Sequence, residues 1–364
     1  MSFSPQQDSA LKAVAAWQKD IRGRQVFRLF GYAGTGKTTL ARTIAEETKG
    51  DTLFAAFTGK AASVLRARGC DGASTIHSLI YRSRDKEGED PTFVLNRQSA
   101  VADAKLVIID ECSMVDEELG KDLLSFGTKV LVLGDPAQLP PVKGGGYFTE
   151  AEPDIMLTEV HRQAAGNPIV RLSMEVREGG RLSVGTYGES RVIRRDAIDK
   201  ETVLAADQVL VGMNKTRRLY NERIRGLKGF TEGAPMAGEK LVCLRNDKTK
   251  GLLNGGIWTV AEVALSKKGL VSMRLLPEEG DGTARVKVSV MPEFFIGRED
   301  ELSYAVRRNS DEFDYGYALT VHKAQGSQWN AVVLFDESYA FREHRARWLY
   351  TGLTRAAEKI TVVV

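Results

Sequence analysis

The chain has 364 residues, 43% hydrophobic and 27% charged, with a formal net charge of +3. That balance describes a folded chain with room for two or three domains, and it excludes a disordered or wholly polycationic chain. No run reaches the ~18 apolar residues of a membrane span, and Cys70, Cys112 and Cys243 lie far apart without a CxxC pair, which argues against a zinc site or disulfide framework and for a reducing, cytoplasmic compartment.

In chain order, apolar residues at helical spacing (Leu11, Val14, Ala15, Trp17) follow a Ser4-Pro5 start signal and predict a helix over 8–20. Short apolar runs at 26–30, 53–57, 105–110 and 129–133 then alternate with helical segments. Each is strand-length and continuous, the signature of a parallel strand buried on both faces. The pattern breaks at 81–100, a charged, turn-rich stretch followed by Thr92-Phe93-Val94-Leu95, read as a small hairpin-like insert. Strand then helix returns at 203–225. Between 238 and 290, strand-like pieces at 240–244, 257–263, 271–276 and 284–290 are separated by Gly, Asn and Asp turns and predict a small all-β module. From 315 to 364 the chain reads as α/β again.

The chemistry begins at Gly31-Tyr32-Ala33-Gly34-Thr35-Gly36-Lys37-Thr38, between a strand and a helix. Glycines there let backbone N–H groups approach phosphate oxygens at the positive end of the following helix. Lys37 is placed for the β/γ-phosphates and Thr38 for Mg²⁺. A carboxylate at the end of a buried strand should complete the metal site. Leu106-Val107-Ile108-Ile109-Asp110-Glu111 supplies Asp110 for the ion and Glu111 to orient or deprotonate a water. The next strand ends in Gly134-Asp135-Pro136-Ala137-Gln138, which sets Gln138 toward the γ-phosphate. Arg162 and Arg355 are candidates to meet charge on that phosphate.

The ordered series "GYAGTGKT", "AAFTGKAA", "STIHSL", "IIDECSMV", "LGDPAQLPPV", "LTEVHRQ", "LTVHKAQGSQW" and "YTGLTRA" resembles the superfamily 1B helicases, in the RecD-like and phage Dda-like group. The resemblance spans nearly the whole chain. It implies two RecA-like domains with ATP between them, a short hairpin insert and an inserted SH3-like β module. The implied boundaries are 1–80 and 101–165 for the first domain, 81–100 for the hairpin, 166–225 and 315–364 for the second domain, and 226–314 for the module. It matches Gln7, or alternatively Gln6, to an adenine-reading glutamine, and Gly34, Thr35, Gly36, Lys37, Thr38 and Thr39 to the nucleotide cradle. Lys37, Asp110, Glu111, Gln138, Arg162 and Arg355 match hydrolytic positions. Gln325 and Gly326 match a motif coupling nucleotide to DNA.

By the same resemblance Thr58, Lys60, Thr75 and His77 contact nucleic acid from the first domain, and Thr320, His322 and Lys323 from the second. Hydroxyls, imidazoles and lysines suit sequence-blind phosphate contacts. Phe93 is a candidate strand-separating wedge, although the 81–100 insert is short, and "AAFTGKAA" lacks the proline usual before the threonine. The expectation is a minimal, phage-like, monomeric ATP-dependent DNA helicase. It would act with Mg²⁺ on single-stranded DNA and duplex junctions, move 5′ to 3′, and meet replication or recombination proteins. Two other readings are an RNA helicase of the same superfamily and a nucleotide-gated nucleic-acid-binding assembly protein. Lys37→Ala is expected to abolish ATP hydrolysis in a phosphate-release assay, and turnover near the wild-type rate would overturn the cradle assignment.

Overall fold

The computed structural model describes residues 3–84, 92–140, 146–159, 166–247, 249–264, 269–278 and 285–364. They divide into two compact units, 1–181 with 346–354, and 182–345 with 355–364.

The first unit is built on six parallel strands: β1 (Val26–Gly31), β2 (Thr52–Ala56), β3 (Ser74–Thr75), and, after an antiparallel ribbon of β4 (Tyr81–Arg84) and β5 (Thr92–Leu95), β6 (Leu106–Asp110), β7 (Lys129–Gly134) and β8 (Ile155–Leu157). Their order is β3-β2-β6-β7-β1-β8. The continuous apolar runs are explained by two-sided burial. Phe27, Leu29, Phe54, Leu106, Ile108, Leu131 and Leu133 point to one face, where they pack with Val14 and Trp17 of the helix Pro5–Lys19 and Leu40 and Ile44 of the helix Lys37–Glu47. Val26, Phe30, Val107, Ile109, Val130 and Val132 point to the other, against Ile76, Ile80, Leu119 and Leu123. Alternation at period two fills both faces, so the runs are apolar nearly throughout, Arg28 of β1 being the interior exception.

The second unit holds β9 (Gly185–Tyr187), β10 (Ser190–Ile193), β11 (Gln208–Val211), β12 (Lys240–Cys243), β13 (Ile257–Ala264), β14 (Val271–Pro277), β15 (Val286–Val290), β16 (Phe313–Tyr315), β17 (Ala318–Thr320), β18 (Trp329–Phe335) and β19 (Ala356–Val363). One sheet runs β17-β11-β18-β19-β10-β9 and is parallel except for the β9–β10 edge. The other is fully antiparallel, β15-β14-β13-β12-β16. The sequence pattern names four of its strands; the fifth, β16, is three residues long and pairs with β12. The two sheets share one core, in which Val209, Val333 and Val363 join Leu241, Trp258, Met273 and Phe313. Trp258 is therefore a packing residue, 6% exposed, with its ring edge-on to Phe313.

A buried ion pair ties this core together. Arg225, on the helix Asn214–Leu227, donates from Nε to Glu239 Oε1 at 2.6 Å and from Nη2 to Oε2 at 3.0 Å, and its guanidinium lies 4.0 Å from the Tyr315 ring. The Glu239 side chain is fully buried and also accepts the Met236 N–H. Removing one partner of such a pair strands the other charge. Arg225→Ala should therefore destabilise the second unit by about 3–5 kcal/mol, read as a lower urea midpoint. A loss below ~1 kcal/mol would show that Glu239 is relieved by solvent or protonation.

Candidate nucleotide site

β6, β7 and β1 are adjacent and parallel, so their carboxyl ends meet at one edge of the sheet. In register, Phe30 lies beside Gly134 and Ile109 beside Val132. Three loops thus converge there, each carrying one of the sequence motifs, the usual place for a ligand in a parallel α/β sheet.

The loop after β1 turns through Gly34 and Gly36, at φ 79° and 82°, in the left-handed region that side chains resist. The helix Lys37–Glu47 starts directly after Gly36, which offers no side-chain cap. Its first-turn N–H groups are thereby left to an anion. Thr35 is buried; its hydroxyl donates to the Tyr32 carbonyl at 2.8 Å and its carbonyl accepts from Gln7 Nε2 at 3.0 Å. Gln7 also accepts the Ser4 N–H at 3.0 Å, so it joins the N-terminal helix cap to the loop. Gln6 turns elsewhere, donating to the Met156 carbonyl and accepting the Thr158 and Glu159 N–H groups. Of the two glutamines, Gln7 is the one bonded to the cradle.

Lys37 Nζ donates to the carbonyls of its own loop, Gly31 at 2.6 Å and Tyr32 at 3.0 Å. Neutral carbonyls are weaker partners for an ammonium than an anionic oxygen is. Thr39 follows in the first helical turn, its carbonyl accepting from the Thr43 hydroxyl. Thr38 Oγ1 lies 3.4 Å from Asp110 Oδ2. Asp110 Oδ1 accepts the Glu111 N–H at 2.8 Å. Glu111 takes φ 52°, one of two non-glycine residues with positive φ among those described. Strain of this kind persists where the surroundings fix it, commonly at functional sites. Desolvation and the neighbouring Glu111 carboxylate push the Asp110 pKa up to about 6, against the opposing pull of Lys37.

Gln138 is 7% exposed, and its Oε1 has no hydrogen-bond partner among the described residues. An orphaned buried oxygen at this sheet edge fits a site made for a polar ligand. The residues also fit a divalent cation, since a hydroxyl and a carboxylate, Thr38 and Asp110, converge.

Sequence reasoning missed four contributors to this edge. Asp135 is buried, and its Oδ2 accepts the Tyr350 hydroxyl at 2.6 Å. The same hydroxyl accepts the Ala33 N–H of the cradle at 3.0 Å. Thr351 Oγ1 accepts the Leu139 N–H at 2.9 Å. The Arg177 guanidinium stacks 3.6 Å from the centre of the Tyr32 ring. Buried polar letters in "GDPAQ" and "YTGLTRA" were the available signal.

In the first unit Thr58 caps the helix Gly59–Ala67 by accepting the Ala61 N–H, and Thr75 caps Ile76–Ile80 by accepting the Ser78 N–H. Lys60 is 7% exposed, whereas His77 is exposed beside Phe57 and Tyr81. Phe93, on the β4–β5 ribbon, is 67% exposed. In the second unit Thr320 Oγ1 accepts the Lys323 N–H, Lys323 Nζ donates to Asn254 Oδ1, and His322 packs on Phe341 at 5.4 Å. Burial lowers the pKa of both His322 and Lys323. Gln325 and Arg355 are buried there, Gly326 takes φ 77°, and Arg355 Nη1 donates to the Ser327 carbonyl at 3.2 Å. Arg162 lies outside the described residues.

A family model described as an AAA domain matches residues 2–197, more than half the chain. The chain belongs to that family, as a superfamily 1B helicase of the RecD- and Dda-like group. A UvrD-like helicase C-terminal domain model matches residues 315–363 of this RecD-like chain. It is 32% identical over 93% of its length to the ATP-dependent RecD2 DNA helicase of Deinococcus radiodurans, covering 47% of that protein. It is 35% identical to the ATP-dependent DNA helicase dda of Enterobacteria phage T4 over 41% of this chain and 37% of that one. The chain thus spans about half or less of the length of these curated relatives. Its fold is similar to a Bacteroides Pif1 helicase solved with ADP-AlF3 and ssDNA (TM-score 0.59, 17% identity, covering 100% of this chain and 93% of that one). It is likewise similar to Pif1 solved in a study of unwinding at forked dsDNA (TM-score 0.61, 18% identity, 99% and 92%). These likenesses establish a helicase fold with RecA-like parallel sheets. The five-stranded antiparallel sheet occupies the region expected to hold the SH3-like module.

The raised Asp110 pKa carries a stability consequence. A carboxyl whose folded pKa exceeds its unfolded value stabilises the fold while protonated, and that contribution is lost as pH rises through the folded value. The nucleotide-free protein should lose stability between pH ~4 and ~6 on this account. Asp110→Asn should flatten that limb, so its thermal midpoint exceeds that of the wild type by more at pH 7 than at pH 4. Parallel pH profiles for the two proteins would overturn the assignment.

Proposed function

We propose that this chain couples ATP hydrolysis to movement along single-stranded DNA and to duplex unwinding, travelling 5′ to 3′. The observation that carries the reading is the meeting of Lys37, Thr38, Asp110, Glu111 and Gln138 at one sheet edge within a single unit. Gly34, Thr35 and Gly36 shape the cradle with Thr39 behind them, Gln7 holds it from below, and Lys37 takes phosphate charge. Thr38 and Asp110 would hold Mg²⁺, which when bound offsets phosphate charge. Glu111, the base, orients a water, and Gln138 offers its unpaired oxygen to it. Gln325, Gly326, Arg162 and Arg355 enter the reading through the resemblance alone.

For nucleic acid, Lys60, His77, His322 and Lys323 with the capping hydroxyls of Thr58, Thr75 and Thr320 form the proposed track, and exposed Phe93 the proposed wedge. The RecD2 relative of Deinococcus radiodurans and dda of phage T4 are both named DNA helicases, which supports DNA over RNA. No helix among the described residues is long and apolar enough to cross a membrane. Three buried free thiols support a reducing, cytoplasmic setting. A monomer acting at junctions alongside replication or recombination proteins completes the proposal.

Glu111→Gln should retain ATP binding and lose hydrolysis, measured by nucleotide titration beside a phosphate-release assay; lost binding instead would make Glu111 structural. Unwinding of duplexes with a 5′ single-stranded tail but not a 3′ tail is the expected polarity. ATPase stimulation by RNA in place of DNA would favour the RNA reading. DNA affinity should fall steeply with salt as phosphate contacts release counterions, and a flat response would sink the track.

A further inference from the structure

The helix Arg345–Leu353 is followed in sequence by Thr354 and Arg355, yet residues 346–354 belong to the first unit. Two consecutive residues of this helix grip the loop that carries Gln138 from either side. On the upstream side the Tyr350 hydroxyl donates to Asp135 Oδ2 at 2.6 Å, while Asp135 Oδ1 accepts the Ala137 N–H at 3.0 Å. On the downstream side Thr351 Oγ1 accepts the Leu139 N–H at 2.9 Å and donates to the Arg347 carbonyl at 2.7 Å. Gln138 sits between the two grips, and its own N–H donates to the Asp135 carbonyl at 3.1 Å. The Tyr350 hydroxyl has a second bond, accepting the Ala33 N–H of the phosphate cradle at 3.0 Å. Tyr350 is 1% exposed and Thr351 fully buried, so neither hydroxyl exchanges its partner for bulk water.

We infer that Tyr350 and Thr351 are positioning residues for hydrolysis: a two-point clasp that fixes the loop backbone on either side of Gln138 and, through Ala33, sets the cradle against it. The inference rests on the proposed role of Gln138. The physical reason is pre-organisation. A glutamine that must orient a polar group works only when its backbone is held, and small displacements of such groups cost large factors in rate. A tyrosine hydroxyl suits the position because it donates to a carboxylate and accepts an amide at once. A phenylalanine fills the same volume and does neither.

The test is a double-mutant cycle in steady-state ATPase assays with saturating single-stranded DNA. Tyr350→Phe should lower kcat by about 10- to 100-fold and change KM for ATP much less. Thr351→Val, which keeps shape and removes the acceptor for Leu139, should act in the same direction. Gln138→Ala should lower kcat, and adding Tyr350→Phe to it should lower kcat no further, because residues acting as a unit are not additive. A second readout separates positioning from packing. The Tyr350 bond opposes the rise that burial imposes on the Asp135 pKa, so Tyr350→Phe should move the acid limb of kcat to higher pH. A variant damaged only in stability keeps the wild-type limb and shows a lower melting midpoint. If Gln138→Ala leaves kcat unchanged, the functional reading of Gln138 fails. If Gln138→Ala lowers kcat and Tyr350→Phe multiplies that loss in full, the clasp fails while the reading of Gln138 survives. Should Tyr350→Phe not fold, Thr351→Val carries the same cycle.

Discussion

The desolvated carboxylate of Asp110, held beside Glu111, is the constraint around which the nucleotide edge is arranged. Two adjacent acids at the end of an apolar strand repel each other and lack full hydration, and the Asp110 pKa rises to about 6 in consequence. Lys37 eases the charge from across the loop, but its ammonium is bonded to the Gly31 and Tyr32 carbonyls. Lys37 therefore lowers the Asp110 pKa through space without cancelling the rise that burial and Glu111 impose.

That constraint explains local features which otherwise look unrelated. Glu111 takes a left-handed φ directly after its strand, and its N–H donates to the Asp110 carboxylate. Gly34 and Gly36 take positive φ, turning the loop so that its amides face the same edge. The buried Gln138 oxygen, without a hydrogen-bond partner among the described residues, is unusual for a core position. The parallel order β6-β7-β1 makes these features neighbours, since residues that are far apart in sequence end on adjacent strands.

Much of this was legible in the amino-acid sequence. The runs at 26–30, 105–110 and 129–133 matched β1, β6 and β7 to within a residue or two, because strands buried on both faces are apolar over most of their length. The glycine loop and the Asp110-Glu111 pair were readable because spacing alone specifies their chemistry. The threonines were harder. Thr58 and Thr75 stand before helices, where a hydroxyl caps a free amide whatever else it does. Resemblance named them as nucleic-acid contacts, and the structure adds the local reason the hydroxyl is held still. Strand β16 escaped notice because three residues carry no periodicity. Tyr350, Thr351 and Asp135 escaped because their partners lie more than two hundred residues away and no local pattern records such a pairing.

The path of the chain near its end gives those long-range contacts their weight. Residues 346–354 leave the second unit, pack with the first, and return at Arg355. A helix of nine residues contributes little stability through its own backbone bonds. Its place is fixed by Trp348, Tyr350 and Leu353, all nearly or fully buried, and by hydroxyls bonded to the Gln138 loop. Apolar burial of that kind secures a segment but does not specify its rotation to a fraction of an ångström, whereas short bonds to a buried carboxylate and a backbone amide do. The helix is thus anchored by packing and aimed by Tyr350 and Thr351. Because Arg355 follows it by covalent linkage, whatever orders the helix also limits the freedom of the backbone that bears this arginine. The hydroxyls bonded to the Gln138 loop and the backbone that bears Arg355 belong to one continuous segment.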